Sequence, residues 1–419
     1  MNSVRCTALT LCAMFLAPLA HSGGIYPPLL PPEQQVMAAL LAAPDLVAAH
    51  EQIGEGAANN RKLRAGPHEW EAAVITQKRK DPAGLQYREQ EYELQRRFRL
   101  PGKGGLDRRM GALTAEAGEL AYADSWHEAG RLLIAAWFDW QRAAQSAALW
   151  QQQAETAQQQ QQVISKRVGA GDAPRLDRDQ ADAEWGRVQA LQLEALRLAE
   201  AARLALLEHF PGLDTTQPLT ADLPDPPPIE AADEVWIKRI VAENHEIELA
   251  QSRADQAQLL VRRAGLDRLA DPSLGLSYSK SIDGNIDLLR LRIAVPLGYE
   301  TRDADVALAR SAANRANAAL MQARASVETA ARTDLLNAHS SYRQWQRLAQ
   351  VSRLSQTVAE GVAKAYAAGE AGVGEVLLAR RQYQEAQAQT LTALLTAHET
   401  YARLRLDAHE ILALAEHQP

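Results

Sequence analysis

Two stretches decide the reading: Tyr92-Glu93-Leu94-Gln95-Arg96-Arg97-Phe98-Arg99-Leu100-Pro101 and Leu288-Leu289-Arg290-Leu291-Arg292-Ile293-Ala294-Val295-Pro296. In the first, Tyr92, Leu94, Phe98 and Leu100 share one parity, and in the second Leu289, Leu291, Ile293 and Val295 do the same. The other parity carries Glu93, Gln95, Arg97 and Arg99, then Leu288, Arg290, Arg292 and Ala294. Successive side chains of a strand point to opposite faces, so each run describes a strand with one apolar and one mostly polar face. The same spacing before a proline in both places argues that the alternation is built in. Arg96, on the apolar parity, interrupts it. Two architectures produce such a strand: a membrane barrel with an aqueous lumen, or a soluble sheet with one face in a core.

Working outward, Trp70 to Gln77 and the Leu274, Leu276, Tyr278 alternation read as partner strands, and Asp283-Gly284-Asn285 as a hairpin turn. Two hairpins give four strands. The smallest single-chain barrels have about eight, so a barrel built from this sheet has to be shared between subunits. Beyond each hairpin runs a long stretch rich in Ala, Gln, Glu, Leu and Arg, from Leu106 to Val168 and from Arg302 to Ala368. At 1.5 Å per residue these are helical rods of roughly 95 to 100 Å. Each rod ends in a glycine-marked turn, Arg167-Val168-Gly169-Ala170-Gly171-Asp172-Ala173-Pro174 and Ala368-Gly369-Glu370-Ala371-Gly372-Val373-Gly374, followed by a returning helix. Gly171 and Gly369, Asp177 and Glu375, and Ala181 and Ala379 all stand at one common offset, which makes duplication the simplest account.

The organisation follows. Residues 1–22 read as a secretory signal, with Arg5, an apolar run and Ala20-His21-Ser22 as the cleavage site. Residues 23–210 form a first repeat, with a hairpin at about 69–101 and coiled-coil helices at about 106–209; 211–232 is a proline-rich linker. Residues 233–419 form the second repeat, with a hairpin at about 273–296 and helices at about 302–415. Each repeat opens with a helix, around Glu33 to Arg64 and Asp233 to Leu269. The fold class is mainly α with a small β part.

Composition excludes several functions. With 45 basic against 52 acidic residues there is no electrostatic footprint for nucleic acid. Both cysteines, Cys6 and Cys12, fall in the signal segment, which removes disulfides, metal thiolates and thiol nucleophiles from the mature chain. The histidines show no i, i+4 pair, so no metal site is expected. No fingerprint of a hydrolase, metalloprotease or dinucleotide enzyme occurs, and no cofactor is expected. Lys103 within Gly102 to Gly105 is not a phosphate loop, because no Ser or Thr follows it and no glycine stands five residues before Gly102. It instead marks, with Pro101, Gly102 and Pro296, the junction of sheet and rods. Trp126, Trp137, Phe138 and Trp140 are assigned to packing between subunits, and the glutamines of 151–162 to a solvated helix face.

Two repeats of helix, β-hairpin, long helix, glycine turn and returning helix resemble the TolC-type outer membrane efflux factors over nearly the whole mature chain. The stretch Leu100-Pro101-Gly102-Lys103-Gly104-Gly105 is similar to the cobalt, zinc and cadmium efflux branch, with Gly104 standing where that branch usually has another basic residue. The resemblance implies a homotrimer with a twelve-stranded barrel in outer membrane lipid, continued by an α-helical tunnel into the periplasm. It also implies a periplasmic membrane-fusion adaptor and an inner-membrane efflux pump as partners. By the same resemblance Arg167, Gly169, Gly171, Asp177, Gly369 and Glu375 are the adaptor-docking tips; the glycines read equally as plain turn chemistry. Asp172, Asp177, Glu370 and Glu375 are candidates for carboxylate rings in a pore, against the alternative that they complement helix dipoles. The rival to a channel is a periplasmic coiled-coil adaptor or scaffold. The two differ in one observable: an adaptor buries the apolar strand face in its own core, and a barrel does not.

Overall fold

The computed structural model describes residues 26–80, 82–216, 222–281 and 286–414. The signal segment, the Asp283-Gly284-Asn285 turn and the end of the chain after Leu414 lie outside the described residues. The first repeat runs α1 (Glu33–Ala42), α2 (Pro44–Ala65), β1 (Trp70–Lys80), β2 (Gln86–Arg97), α3 (Lys103–Gly169) and α4 (Arg175–His209). The second repeats the plan with α5 (Asp233–Ala242), α6 (His245–Asp267), β3 (Ser273–Ser281), β4 (Ile286–Ala294), α7 (Glu300–Ala367) and α8 (Val373–Asp407).

Each opening helix is broken in two. Pro44 sits at the first position of α2, where its missing N–H costs nothing, and the chain bends by 66° there. In the second repeat Asn244 provides the break, its side-chain oxygen accepting the Ile247 amide at 3.1 Å to cap α6. The rods are 67 and 68 residues long, on the order of 100 Å.

The four strands form one antiparallel sheet in the order β1-β2-β3-β4. The hairpins are joined through β2 and β3, with Tyr92 opposite Tyr278 and Leu94 opposite Leu276. The ladder stops at Arg97, before the alternation ends: the Phe98 amide still donates to the facing Pro272 carbonyl at 2.9 Å, but Pro272 has no N–H to return the bond. Phe98 and Leu100 therefore lie beyond the strand.

The main core is helical and forms where α1, α2, α3, α4 and α8 meet, around Leu40, Leu133, Ile134, Phe138, Leu206 and Leu395. The tryptophans assigned to subunit packing belong here. Trp126 Nε1 donates to the Leu412 carbonyl at 2.9 Å and Trp137 Nε1 to Leu29 at 2.8 Å, so they pin both ends of the described chain to α3. The reason is that a buried indole has to place its N–H, and irregular terminal segments offer free carbonyls. The proline-rich segment between repeats is also held: Phe210 and Leu213 are in the core, and the Pro224 carbonyl bonds His398 Nε2 at 2.9 Å. Glutamines 151–162 are not uniformly solvated. Gln153 is buried and exchanges amide bonds with Gln387 at 2.7 Å and Gln384 at 3.1 Å on α8.

Candidate functional site: sheet faces, rod bases and tips

The sheet places Trp70, Val74, Tyr92, Leu94, Leu274, Leu276, Tyr278, Leu289, Leu291 and Ile293 on one face, in ladders such as Leu94–Leu276–Leu291. All of these side chains are exposed; Leu289, Leu291 and Ile293 are 66 to 69% accessible. The chain thus does not bury this face in a core of its own, which removes the adaptor's β-domain. A contiguous apolar face of this kind marks an interaction surface. The opposite face is polar and internally paired. Arg290 reaches Glu91 at 2.7 Å, Arg79 reaches Glu89 at 3.0 Å, and Gln95 donates to Glu71 at 2.7 Å. Arg96, the interruption of the apolar parity, lies at the helix-side end of the sheet, its guanidinium 5.3 Å from the Trp70 ring and 5.9 Å from Phe98. These two rings meet edge to face at 6.4 Å. Aromatic and arginine side chains clustered there are the pairing found at a membrane–water boundary.

Where the sheet passes into α3, the junction is dense. Gly102 takes φ +90°, which only glycine adopts cheaply, and reverses the chain into the rod. Lys103 is 1% exposed. Its Nζ donates to the Leu269 carbonyl at 2.7 Å and to Asp271 Oδ1 at 2.7 Å, and lies 2.9 Å from Asp267. Asp271 also accepts the Leu100 amide at 3.0 Å and contacts His68 Nε2 at 2.9 Å. Burial raises the Asp271 pKa, but the His68, Lys103 and Leu100 bonds outweigh it and hold the carboxyl at about 2. Behind this, Asp107 pairs with Arg99 at 2.8 Å and Arg263 at 2.6 Å, while Arg99 closes the end of α2 by donating to Arg64 O at 3.0 Å. A side chain at Gly66 would strike that guanidinium. Pro101 and Pro296 are exposed, and Arg108 and Arg109 face solvent. At the base of α7 the ties are fewer and exposed: Arg302 donates to the Pro296 and Arg268 carbonyls at 3.4 Å each, and Asp303 pairs with Arg268 at the surface.

The tips are two copies of one device. At the end of α3, the Asp172 amide donates to Arg167 O at 2.9 Å and the Gly171 amide to Val168 O at 3.1 Å, with Gly171 at φ +83°. At the end of α7, the Glu370 amide donates to Ala365 O at 2.9 Å and Gly369 to Tyr366 O at 3.0 Å, with Gly369 at φ +80°. These are Schellman caps, in which a left-handed glycine lets two amides satisfy the last carbonyls. Gly169 is the last helical residue of α3 and has open space around it. Asp177 and Glu375 fall in the first turns of α4 and α8, where a carboxylate complements the helix dipole. Asp172, Glu370 and Glu375 are exposed and Asp177 is half-buried, and among the described residues none of the four has an ion-pair partner. Arg167 bridges the two tips, its guanidinium 4.9 Å from the Tyr366 ring, above a small cluster of Ile164, Ala181 and Val373.

Asp267, Asp271, His68 and Tyr366 were missed by the sequence reading. His68 follows Pro67 and Asp271 precedes Pro272, so a polar residue beside each strand-opening proline was the available signal. A third polar cluster gathers around Asp407, whose Oδ1 contacts His127 Nε2 at 3.2 Å and accepts from Arg131 at 2.8 Å. Burial and the neighbouring His127 and His245 push the His409 pKa down to about 4. Among the described residues no three His, Cys, Asp or Glu side chains are placed to hold a metal ion.

This duplicated arrangement of broken helix, hairpin and helical hairpin around one four-stranded sheet is the fold of TolC-type outer membrane channels. Solved structures with it include CusC, reported for the conformational changes that accompany its folding and transmembrane channel formation, at 15% identity over 90% of this chain and 91% of that one, with a TM-score of 0.75. The outer membrane protein VceC of Vibrio cholerae aligns at 14% identity over 90% and 95% of the two chains, TM-score 0.74. The open state of the MtrE outer membrane channel of Neisseria gonorrhoeae aligns at 18% identity over 90% and 89%, TM-score 0.72. No protein-family model and no curated protein matches the chain.

Proposed function

We propose that the chain is the outer membrane channel component of a tripartite efflux system: a passive, homotrimeric export duct that performs no catalysis. The observation that carries this is the exposed apolar face of a sheet whose other face is charged and internally paired, with β1 and β4 left as open edges. An open edge of unpaired amides and carbonyls cannot stand in lipid, so the sheet closes by pairing β4 of one copy with β1 of the next. Three copies supply twelve strands, and rods on the order of 100 Å continue the barrel as a tunnel toward the inner membrane.

The tips formed by Arg167, Gly169, Gly171, Asp177, Gly369 and Glu375 are the docking point for a periplasmic adaptor, which couples the duct to an inner-membrane pump. The unpaired carboxylates Asp172, Asp177, Glu370 and Glu375 form the acidic mouth and favour cations. The transported substrates are metal cations or small toxic compounds; this rests on the likeness of Leu100 to Gly105 to the cobalt, zinc and cadmium branch.

Reconstitution in a planar bilayer tests the reading. Stepwise conductance with cation preference is expected, and neutralising the four acids to Asn and Gln is expected to abolish the preference while conductance remains. Absence of any conductance from a trimer in lipid would overturn the duct, and unchanged preference in the quadruple variant would overturn the acidic mouth.

A further inference from the structure

Near the tips, a groove of about 530 Å³ opens between α3 and α7 with α8 as its floor. Gln153, Gln160, Gln356, Tyr366 and Tyr383 supply amides and hydroxyls to it. Two hydroxyls are available to donate. Among the described residues the Tyr366 oxygen is buried with no hydrogen-bond partner, and the Tyr383 oxygen accepts from Gln387 Nε2 at 2.7 Å, which leaves its own proton free.

Arg380 rises from the floor of the groove, and the amide oxygen of Gln160 is the acceptor it meets. Among the described residues it makes no ion pair, whereas its neighbour Arg381 lies 2.6 Å from Glu184. The carboxylate that lines the groove, Glu360, accepts from Gln356 at 2.9 Å. Burial pushes the Arg380 guanidinium below its ordinary value, and no carboxylate offsets that. A partly buried cation without a counter-charge is costly, and the planar fork of a guanidinium fits a carboxylate through two parallel bonds.

We propose that this groove binds a small carboxylate anion, held by the Arg380 guanidinium and the Tyr366 and Tyr383 hydroxyls. Tyr366 belongs to α7 and Arg380 and Tyr383 to α8, so the occupant is held by the second helical hairpin close to the tips, on the side where Arg380 meets Gln160 of α3. Nothing in the proposal requires that the assembly conduct, so it stands apart from the duct reading.

The experiment compares melting of the full chain in detergent with sodium acetate and with sodium chloride at equal ionic strength and pH. At acetate about tenfold above its dissociation constant, the wild type is expected to gain roughly 2 °C over chloride. Arg380→Gln is expected to lose that gain and to melt no lower than the wild type in chloride, since it removes an uncompensated charge. Tyr366→Phe is expected to weaken the acetate response and leave the chloride melt unchanged. No acetate response in the wild type, an equal response in Arg380→Gln, or a chloride melt of Arg380→Gln well below the wild type would each overturn the proposal.

Discussion

At the two tips, Gly171 and Gly369 take φ values of +83° and +80° and the same pair of amide bonds closes each rod. The two rod bases differ: Lys103 is 1% exposed and held by three oxygens, while the base of α7 is tied at the surface, by Arg302 through two contacts of 3.4 Å and by the exposed Asp303–Arg268 pair. The difference separates local from long-range chemistry. A Schellman cap needs only a left-handed residue and the preceding turn, so a duplicated sequence reproduces it without help from the rest of the molecule. The base of α3 is a crossing point where β2, α2, α6 and the start of β3 converge, and its bonds span up to 171 residues of sequence. One repeat can hold this hub; the other has been free to diverge.

Lys103→Met should break that contrast most severely. It leaves Asp271 buried without its cation, a loss of about 3–5 kcal/mol, and should lower the melting temperature markedly. Arg302→Met at the other base should cost under about 1 kcal/mol, the range of exposed pairs. Equal losses at the two bases would dissolve the asymmetry.

Asp271 sharpens it further through pH. Its folded pKa, about 2, lies below the ordinary value of 3.8, so its contribution is fully present above pH 3.8 and is lost as pH falls toward 2. Melting temperature followed from pH 6 down to pH 2 should therefore drop for the wild type, and Asp271→Asn should melt lower at pH 6 with a flatter acid limb. An acid limb of the same depth in the variant would assign the acid sensitivity elsewhere.

Substitution at the tips should show the opposite pattern. Gly171→Ala and Gly369→Ala meet open space but force a left-handed conformation, at a cost of roughly 1 kcal/mol each. The two melts should fall by the same small amount. A clear inequality would mean that the tips, too, have diverged.

The same division explains what the sequence disclosed. Strand parity, rod length and glycine turns depend on neighbours within a few residues, so Leu289, Leu291 and Ile293, the long helical runs and Gly171 with Gly369 could all be read directly. Which residues would satisfy Lys103 was not legible, because Asp267 and Asp271 lie more than 160 positions away. The clustering of Trp126 and Trp137 suggests subunit contacts, yet their partners are carbonyls of Leu412 and Leu29 in segments with no regular pattern. Gln153 has the composition of a surface residue and is buried only because α8 brings Gln384 and Gln387 against it. The adaptor alternative could not be set aside from alternation alone, since both architectures share it; the exposure of the apolar face decided that point.

In the proposed assembly, two further copies in lipid complete this exposed face and the two open strand edges. The most direct measurement is the oligomeric mass of the protein extracted with detergent from the outer membrane fraction. A trimer, found in that fraction, is expected. A monomer or dimer released in the soluble periplasmic fraction would contradict it.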